Sequence, residues 1–306
     1  MEVDELAVVK PYSGPRFRKS HQSLLAQIHV TGPLHLIKVT SRGAAPNSPD
    51  PCIYPCTSSK PAAPTFARSH AIAAAQVPVL VKTLVLWDID GTLILSGNAG
   101  QRALVTALHR AFGIVGTLED VEVAGRTDPW IARRVLAKFS LPDTPDNVAR
   151  YLESYLTALP GELANPHAHV LPGVRELLSA LAARGDVAQG LLTGNLRRGA
   201  EIKLSHHDLW AHFAFGAFAD DAELRNELGP HALRRAATHH SVEFAADRVW
   251  ILGDTPHDIE CGKAIGARTL AVATGGFTVD ELRAHKPTAV VANLADTDAI
   301  VALLVE

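Results

Sequence analysis

The chain has 306 residues, 47% of them hydrophobic and 20% charged, with a formal net charge of -3, which suits one large globular domain or two small ones. Acidic and basic residues are interspersed, so nothing marks the chain as a partner of nucleic acid or of an anionic membrane, and small neutral or anionic ligands remain open. The three cysteines, Cys52, Cys56 and Cys261, lack zinc-site spacing and are too few for a disulfide framework.

Residues 1–77 hold nine of the 19 prolines, with Ser/Thr clusters such as Thr57, Ser58 and Ser59. Such a segment cannot easily bury enough apolar surface to offset chain entropy, so a disordered Pro-rich extension is expected. Residues 1–6 are acidic rather than basic, and the most apolar stretch, 71–87, is broken by Gln76, Pro78 and Lys82. No membrane span is therefore expected, and the protein reads as soluble and cytoplasmic. Met1 is the only methionine, which raises the idea that the natural start lies near Val77 or Val79, read from an alternative codon; recovery of Met1 from the native source would end it.

From Lys82 onward, short β-rich apolar runs alternate with helical periodicity, the pattern of an α/β domain with a buried parallel sheet. Strands are expected over 83–87, 187–192, 249–252, 269–273 and 289–291. Between the first two lies a long insertion, from Gly97 to about Val170, with helices expected over 99–112, 129–139 and 147–159. It is too long for one crossover. Pro172 and Gly173 then introduce a helix with Val174, Leu177, Leu178 and Leu181 on one face, returning the chain to the sheet.

The first strand runs into Asp88-Ile89-Asp90-Gly91-Thr92-Leu93, a D-x-D-G-T pattern that average residue frequencies produce in roughly a few chains per thousand of this length. Strand C-termini are where α/β sheets place ligands. Two carboxylates at the mouth of a buried strand repel each other and lose hydration, so they need a cation or a shared proton. A second segment, Thr193-Gly194-Asn195, again ends a strand; it is consistent with ordinary turn chemistry or with a hydroxyl and two amides turned into the same mouth. The third, Gly253-Asp254-Thr255-Pro256-His257-Asp258, follows a strand and opens a helix that stops near Gly266. Asp254 and Asp258 there suit either helix capping or a metal.

In this order and on these elements, the three segments resemble the signature motifs of the haloacid dehalogenase-like hydrolase superfamily, in its phosphoglycolate phosphatase-like branch with a small helical cap. The resemblance covers about residues 82–306. It implies a Rossmann-like core over 78–96 and 171–306, with the cap at 97–170. It further implies Mg2+-dependent hydrolysis of a small-molecule phosphate ester. Asp88 would be the nucleophile and Asp90 the general acid and base. Asp88, the Asp90 main-chain carbonyl and Asp254 would ligate Mg2+ with Asp258 in support; Thr193 would join the catalytic set, and Gly194 and Asn195 the substrate-binding residues. That inventory agrees with the chemistry, because phosphate-ester hydrolysis needs an in-line nucleophile, neutralised phosphoryl oxygens and a proton for the leaving group.

One element departs from the common pattern. Many relatives carry a phosphate-binding lysine in a Lys-Pro pair before the third motif, whereas residues 221–228 contain no lysine. Lys203, early in the helix after Thr193, is the candidate, with Arg225 as substitute and a solvated surface lysine as the alternative. In the insertion, Gly125-Arg126-Thr127-Asp128-Pro129 reads as a turn followed by helix capping by Thr127 and Asp128, with Arg126 implied as the leaving-group contact. The 15 histidines show no metal-binding pattern and are expected on the surface. A haloacid dehalogenase would not require Asp90. A sugar-phosphate mutase keeps both aspartates, and a non-catalytic scaffold on the same fold finds its only foothold in the missing Lys-Pro pair. The leaving group and the oligomeric state are not encoded in these motifs.

Overall fold

The computed structural model of the protein describes residues 81–306. The extension at 1–77, Cys52, Cys56 and the alternative start near Val77 or Val79 lie outside the described residues. In chain order, β1 (Thr83–Trp87) is followed by β2 (Ile94–Ser96), α1 (Ala99–Phe112), α2 (Asp128–Lys138), α3 (Pro145–Leu163) and β3 (Ala168–Val170). There follow α4 (Val174–Ala182), β4 (Val187–Leu192), α5 (Arg197–His206), β5 (Gly216–Ala217) and α6 (Leu228–His240). The chain closes with β6 (Val249–Gly253), α7 (Pro256–Ala264), β7 (Arg268–Val272), α8 (Val279–Ala284), β8 (Ala289–Val291) and α9 (Thr297–Val305).

Six of the strands form one parallel sheet in the order β5-β4-β1-β6-β7-β8. β1 is central because it is apolar on both faces. Val85 and Trp87 enter one layer with Leu177, Leu181 and Ile300, while Leu84 and Leu86 enter the other with Ala232 and Cys261. Burying each such large apolar side chain contributes about 1.5–3 kcal/mol, so a strand with two apolar faces gains most where helices cover both. Trp87 pairs with Leu191 on β4 and Leu252 on β6. The residues just past these three strands therefore emerge together, where the chain order of the strands reverses direction across the sheet.

The helical insertion carries a core of its own, built around Leu108, Leu136, Tyr151, Tyr155 and Leu159. It joins the sheet through an antiparallel pair in which Ile94 faces Val170 and Ser96 faces Ala168. α1 spans the expected residues; α2 begins one residue earlier than expected. α3 starts two residues early, with Pro145 at its first position and Thr144 as N-cap. It runs on through Pro160 to Leu163, whose side chain is buried. β2, β3 and β5 were not expected, because two or three residues are too few to display alternation. Among the described residues no helix is long and apolar enough to cross a membrane.

Candidate active site

Asp88 follows β1 directly, its amide donating to Leu252 O at 2.9 Å, and its side chain is buried. Asp254 leaves the end of β6 and Asp258 lies in the first turn of α7; oxygens of all three carboxylates lie within 4.8 Å of one another. Glycines permit this crowding, since a Cβ on Gly91 or Gly275 would run into the Asp254 carboxylate, and one on Gly253 into Asp258. Gly91 also takes φ +82, a conformation that side chains oppose.

Arg225, just before α6, is buried and donates from Nη2 to Asp88 Oδ1 at 2.8 Å and to Asp258 Oδ1. Burial works against its charge, yet Asp258 and Asp88 together hold it firmly protonated. For Asp88, burial outweighs the guanidinium and pushes its pKa up to about 6. Asp254 stands well above the carboxylate range because of burial and then the charges of Asp258 and Asp88. Among the described residues its Oδ1 is buried without a hydrogen-bond partner. Capping of α7 falls instead to Thr255 and Asp258, whose Oδ2 accepts from the Thr255 amide at 3.0 Å and hydroxyl at 2.7 Å. Among the described residues Asp254 is thus a buried carboxylate with an unpartnered oxygen, inside an oxygen-only donor set that suits a hard divalent cation.

Asp90 turns the other way. Its Oδ2 accepts from Lys203 Nζ at 2.6 Å and Asn195 Nδ2 at 2.9 Å, and its side chain is 40% exposed. Lys203 is buried and lies in the last turn of α5, not early in it. It also donates to Asn195 Oδ1 at 2.6 Å. Burial opposes the ammonium, but Asp90, Tyr155 and Asp128 more than offset this and raise its pKa. Thr193 Oγ1 accepts from Asn195 Nδ2 at 2.9 Å and from the Asn195 amide at 3.3 Å, so that amide turns back toward Thr193 rather than into the mouth. Gly194 is where the insertion docks: a Cβ there would strike Arg126 O, and its own carbonyl accepts from the Asp128 amide at 2.8 Å.

Thr127 caps α2 as expected, accepting from Trp130 N at 3.4 Å. Asp128 does something else. Its Oδ2 accepts from the Leu196 amide at 2.7 Å, at the N-cap position of α5, so the carboxylate ties the insertion to a helix of the sheet domain. Burial pushes its pKa up to about 6 against the pull of Lys203. Arg126 donates to Glu122 at 2.7 Å and lies over the Trp130 ring. His257 departs from the surface expectation by bonding Glu122 at 3.0 Å across the same boundary.

All nine sequence-chosen residues except Asp258 line one cavity of about 710 Å3, open on one side, together with Arg225, Asp128 and Thr255. Asp258 adjoins it through Arg225 and Thr255. Sequence reasoning named Arg225 only as a substitute, and it did not connect Asp128 or Tyr155 to the site. Those links join segments far apart in the chain, and nothing in local spacing announces them.

A model of the haloacid dehalogenase-like hydrolase family matches residues 85–263. A 5′-nucleotidase of Pseudomonas aeruginosa is 31% identical over 221 residues, covering 69% of this chain and 91% of the relative. A phosphoglycolate phosphatase of Rhodospirillum rubrum is 28% identical over 204 residues, covering 62% and 79%. The crystal structure of a hydrolase from Pseudomonas syringae superposes with a TM-score of 0.57 at 19% identity, over 73% of this chain and 99% of that one, and carries the same fold.

Proposed function

Because the chain belongs to the haloacid dehalogenase-like hydrolase family, we propose that it hydrolyses phosphate monoesters through a phosphoaspartate formed on Asp88, with Mg2+ as cofactor. The observation that carries this reading is the buried Asp88 carboxylate, at the floor of the cavity, beside two further carboxylates and a fixed guanidinium. The relatives named a 5′-nucleotidase and a phosphoglycolate phosphatase make phosphomonoesters the substrate class.

The bare Asp254 Oδ1 and the three converging carboxylates suit Mg2+, which Asp88, Asp254 and Asp258 would hold with the Asp90 main-chain carbonyl. Bound there, the ion supplies positive charge against the phosphoryl oxygens. Asp88 Oδ attacks phosphorus, forming the acyl phosphate as the ester oxygen leaves. Arg225, already on Asp88, steadies the phosphoryl group as negative charge spreads over its oxygens. Asp90 gives a proton to the leaving oxygen and then takes one from the water that releases phosphate; Lys203 and Asn195 fix its position, and its exposed edge meets solvent. Thr193 and Gly194 complete the phosphoryl-facing wall, while Arg126 stands on the leaving-group side.

The test is phosphate release across a panel of phosphomonoesters in Mg2+, run beside Asp88→Asn. Release that vanishes in the variant supports the reading. Isomerised sugar phosphate in place of free phosphate, or no reaction with any ester, would overturn it.

A further inference from the structure

The cavity above Asp88 is far larger than a phosphoryl group needs. Its volume of about 710 Å3 falls in the range of about 300–1,000 Å3 typical of sites for drug-sized ligands. Its outer walls carry Leu95 from β2, Leu104 from α1, Val123 and Ile131 from the insertion, and Gln101 as a neutral polar group.

The strong cations around that space already hold anionic partners. Among the described residues, three strong cations line the cavity. Arg225 is bonded to Asp88 and Asp258 and faces the phosphoryl end; Lys203 is bonded to Asp90. Arg126 is the one on the leaving-group side, and it is bonded to Glu122 at 2.7 Å and stacked 4.3 Å from the Trp130 ring centre. Its Nε is sealed from solvent with no partner. Glu122 stays ionised, its pKa lowered first by the bond to Arg126. His167 and His169 lie exposed at the rim, where water screens any attraction for an anion. Asp90 and Asp128 add negative charge to the same walls. A carboxylate on the leaving group would therefore lose water without gaining a free cation, whereas an apolar body would cover Leu95 and Val123, the two of these side chains still part-exposed.

We infer that the substrate is a phosphomonoester with a bulky, uncharged, partly apolar leaving group, and not a small anionic one of the phosphoglycolate kind. This rests on the phosphomonoester reading of the site, and it names what the outer cavity selects.

Binding is the decisive measurement, because it requires no turnover. The full chain in Mg2+ is titrated calorimetrically with 4-carbamoylbenzylphosphonate and with 4-carboxybenzylphosphonate, a pair matched in bulk in which a neutral amide stands where the other has a carboxylate. The neutral member binds at least tenfold tighter. Gln101→Arg, on the exposed side of α1, places a cation in the wall and narrows the ratio to below threefold. Equal affinity, tighter binding of the carboxylated member, or failure of the neutral one to bind overturns the inference. Phosphate release from benzyl phosphate and from phosphoglycolate is measured on the same preparation. Preferential binding with no release from either would end the hydrolytic reading while leaving the leaving-group preference standing. Faster turnover of phosphoglycolate would do the reverse.

Discussion

Arg225 and Asp88 stand 137 positions apart in sequence, yet Arg225 Nη2 lies 2.8 Å from Asp88 Oδ1, both side chains buried. The same nitrogen holds Asp258. One cation thus serves the carboxylate proposed to attack phosphorus and a carboxylate that caps α7, while Asp254 beside them bonds no cation among the described residues.

Removing that cation should expose the strain among the acids. Arg225→Met leaves three buried carboxylates facing one another, and stripping one partner from a buried ion pair costs about 3–5 kcal/mol. Denaturant unfolding in EDTA should show this loss, and Mg2+ should restore more stability to the variant than it adds to the parent. A variant that Mg2+ stabilises no further than the parent would mean that the carboxylates do not share an ion.

The metal set makes a separate prediction for Asp254. A ligand that binds only the folded chain stabilises it by about 2.7 kcal/mol at a hundred times its Kd, so Mg2+ should raise Tm in the parent. In Asp254→Asn the shift should largely vanish, because the donor with no other partner is gone. An unchanged shift places the ion elsewhere.

Chemistry should separate Asp88 and Asp90 from their cations. Asp88→Asn keeps the shape of the side chain but removes the nucleophile, and turnover should fall at least about a thousandfold with the circular dichroism spectrum intact. Lys203→Ala frees Asp90 from its anchor, and turnover should fall severely with substrate affinity less affected. Normal activity in Lys203→Ala would mean that Asp90 needs no anchor from Lys203.

Asp128 predicts a pH effect on stability. Its folded pKa, raised to about 6 chiefly by burial, exceeds the unfolded value of about 3.9, so the folded state holds the proton more tightly. Its ionisation therefore destabilises: the penalty is absent below about pH 4, grows between 4 and 6, and is complete above 6, reaching up to about 3 kcal/mol. Asp128→Asn, still able to accept from the Leu196 amide, should be at least as stable as the parent at pH 8 and lose that advantage at pH 4. Parallel stability curves for the two proteins across this range would refute it.

How much of this was legible in the sequence depends on whether the signal was continuous along the chain. β1 and β4 were readable residue for residue, because β1 is a buried run of strand-formers and β4 keeps apolar residues on both sides of Gln189 and Gly190, and Asp88, Thr193 and Asp254 were readable because each directly follows a strand. Pairings set by tertiary approach were not. Arg225 was noticed only because a lysine was missing nearby, and its grip on Asp88 needed the fold. Asp128 looked like a cap for its own helix, since helix-start chemistry is the same whichever helix accepts it; the structure gives its carboxylate to α5. The short β2 and β3 carried too few residues for any periodicity.

Those two short strands have a consequence of their own. Because Ile94 faces Val170 and Ser96 faces Ala168, the chain departs and returns side by side, roughly one strand spacing of about 4.8 Å apart. What lies in between touches the main sheet's own elements again where Asp128 meets Leu196 and Gly194, so a loop that lengthens, or a grafted helix that keeps those two contacts, need not shift a register in the main sheet. Natural variation, or a protein engineer, can re-tailor what the molecule grips while the bond-breaking machinery stays where it is.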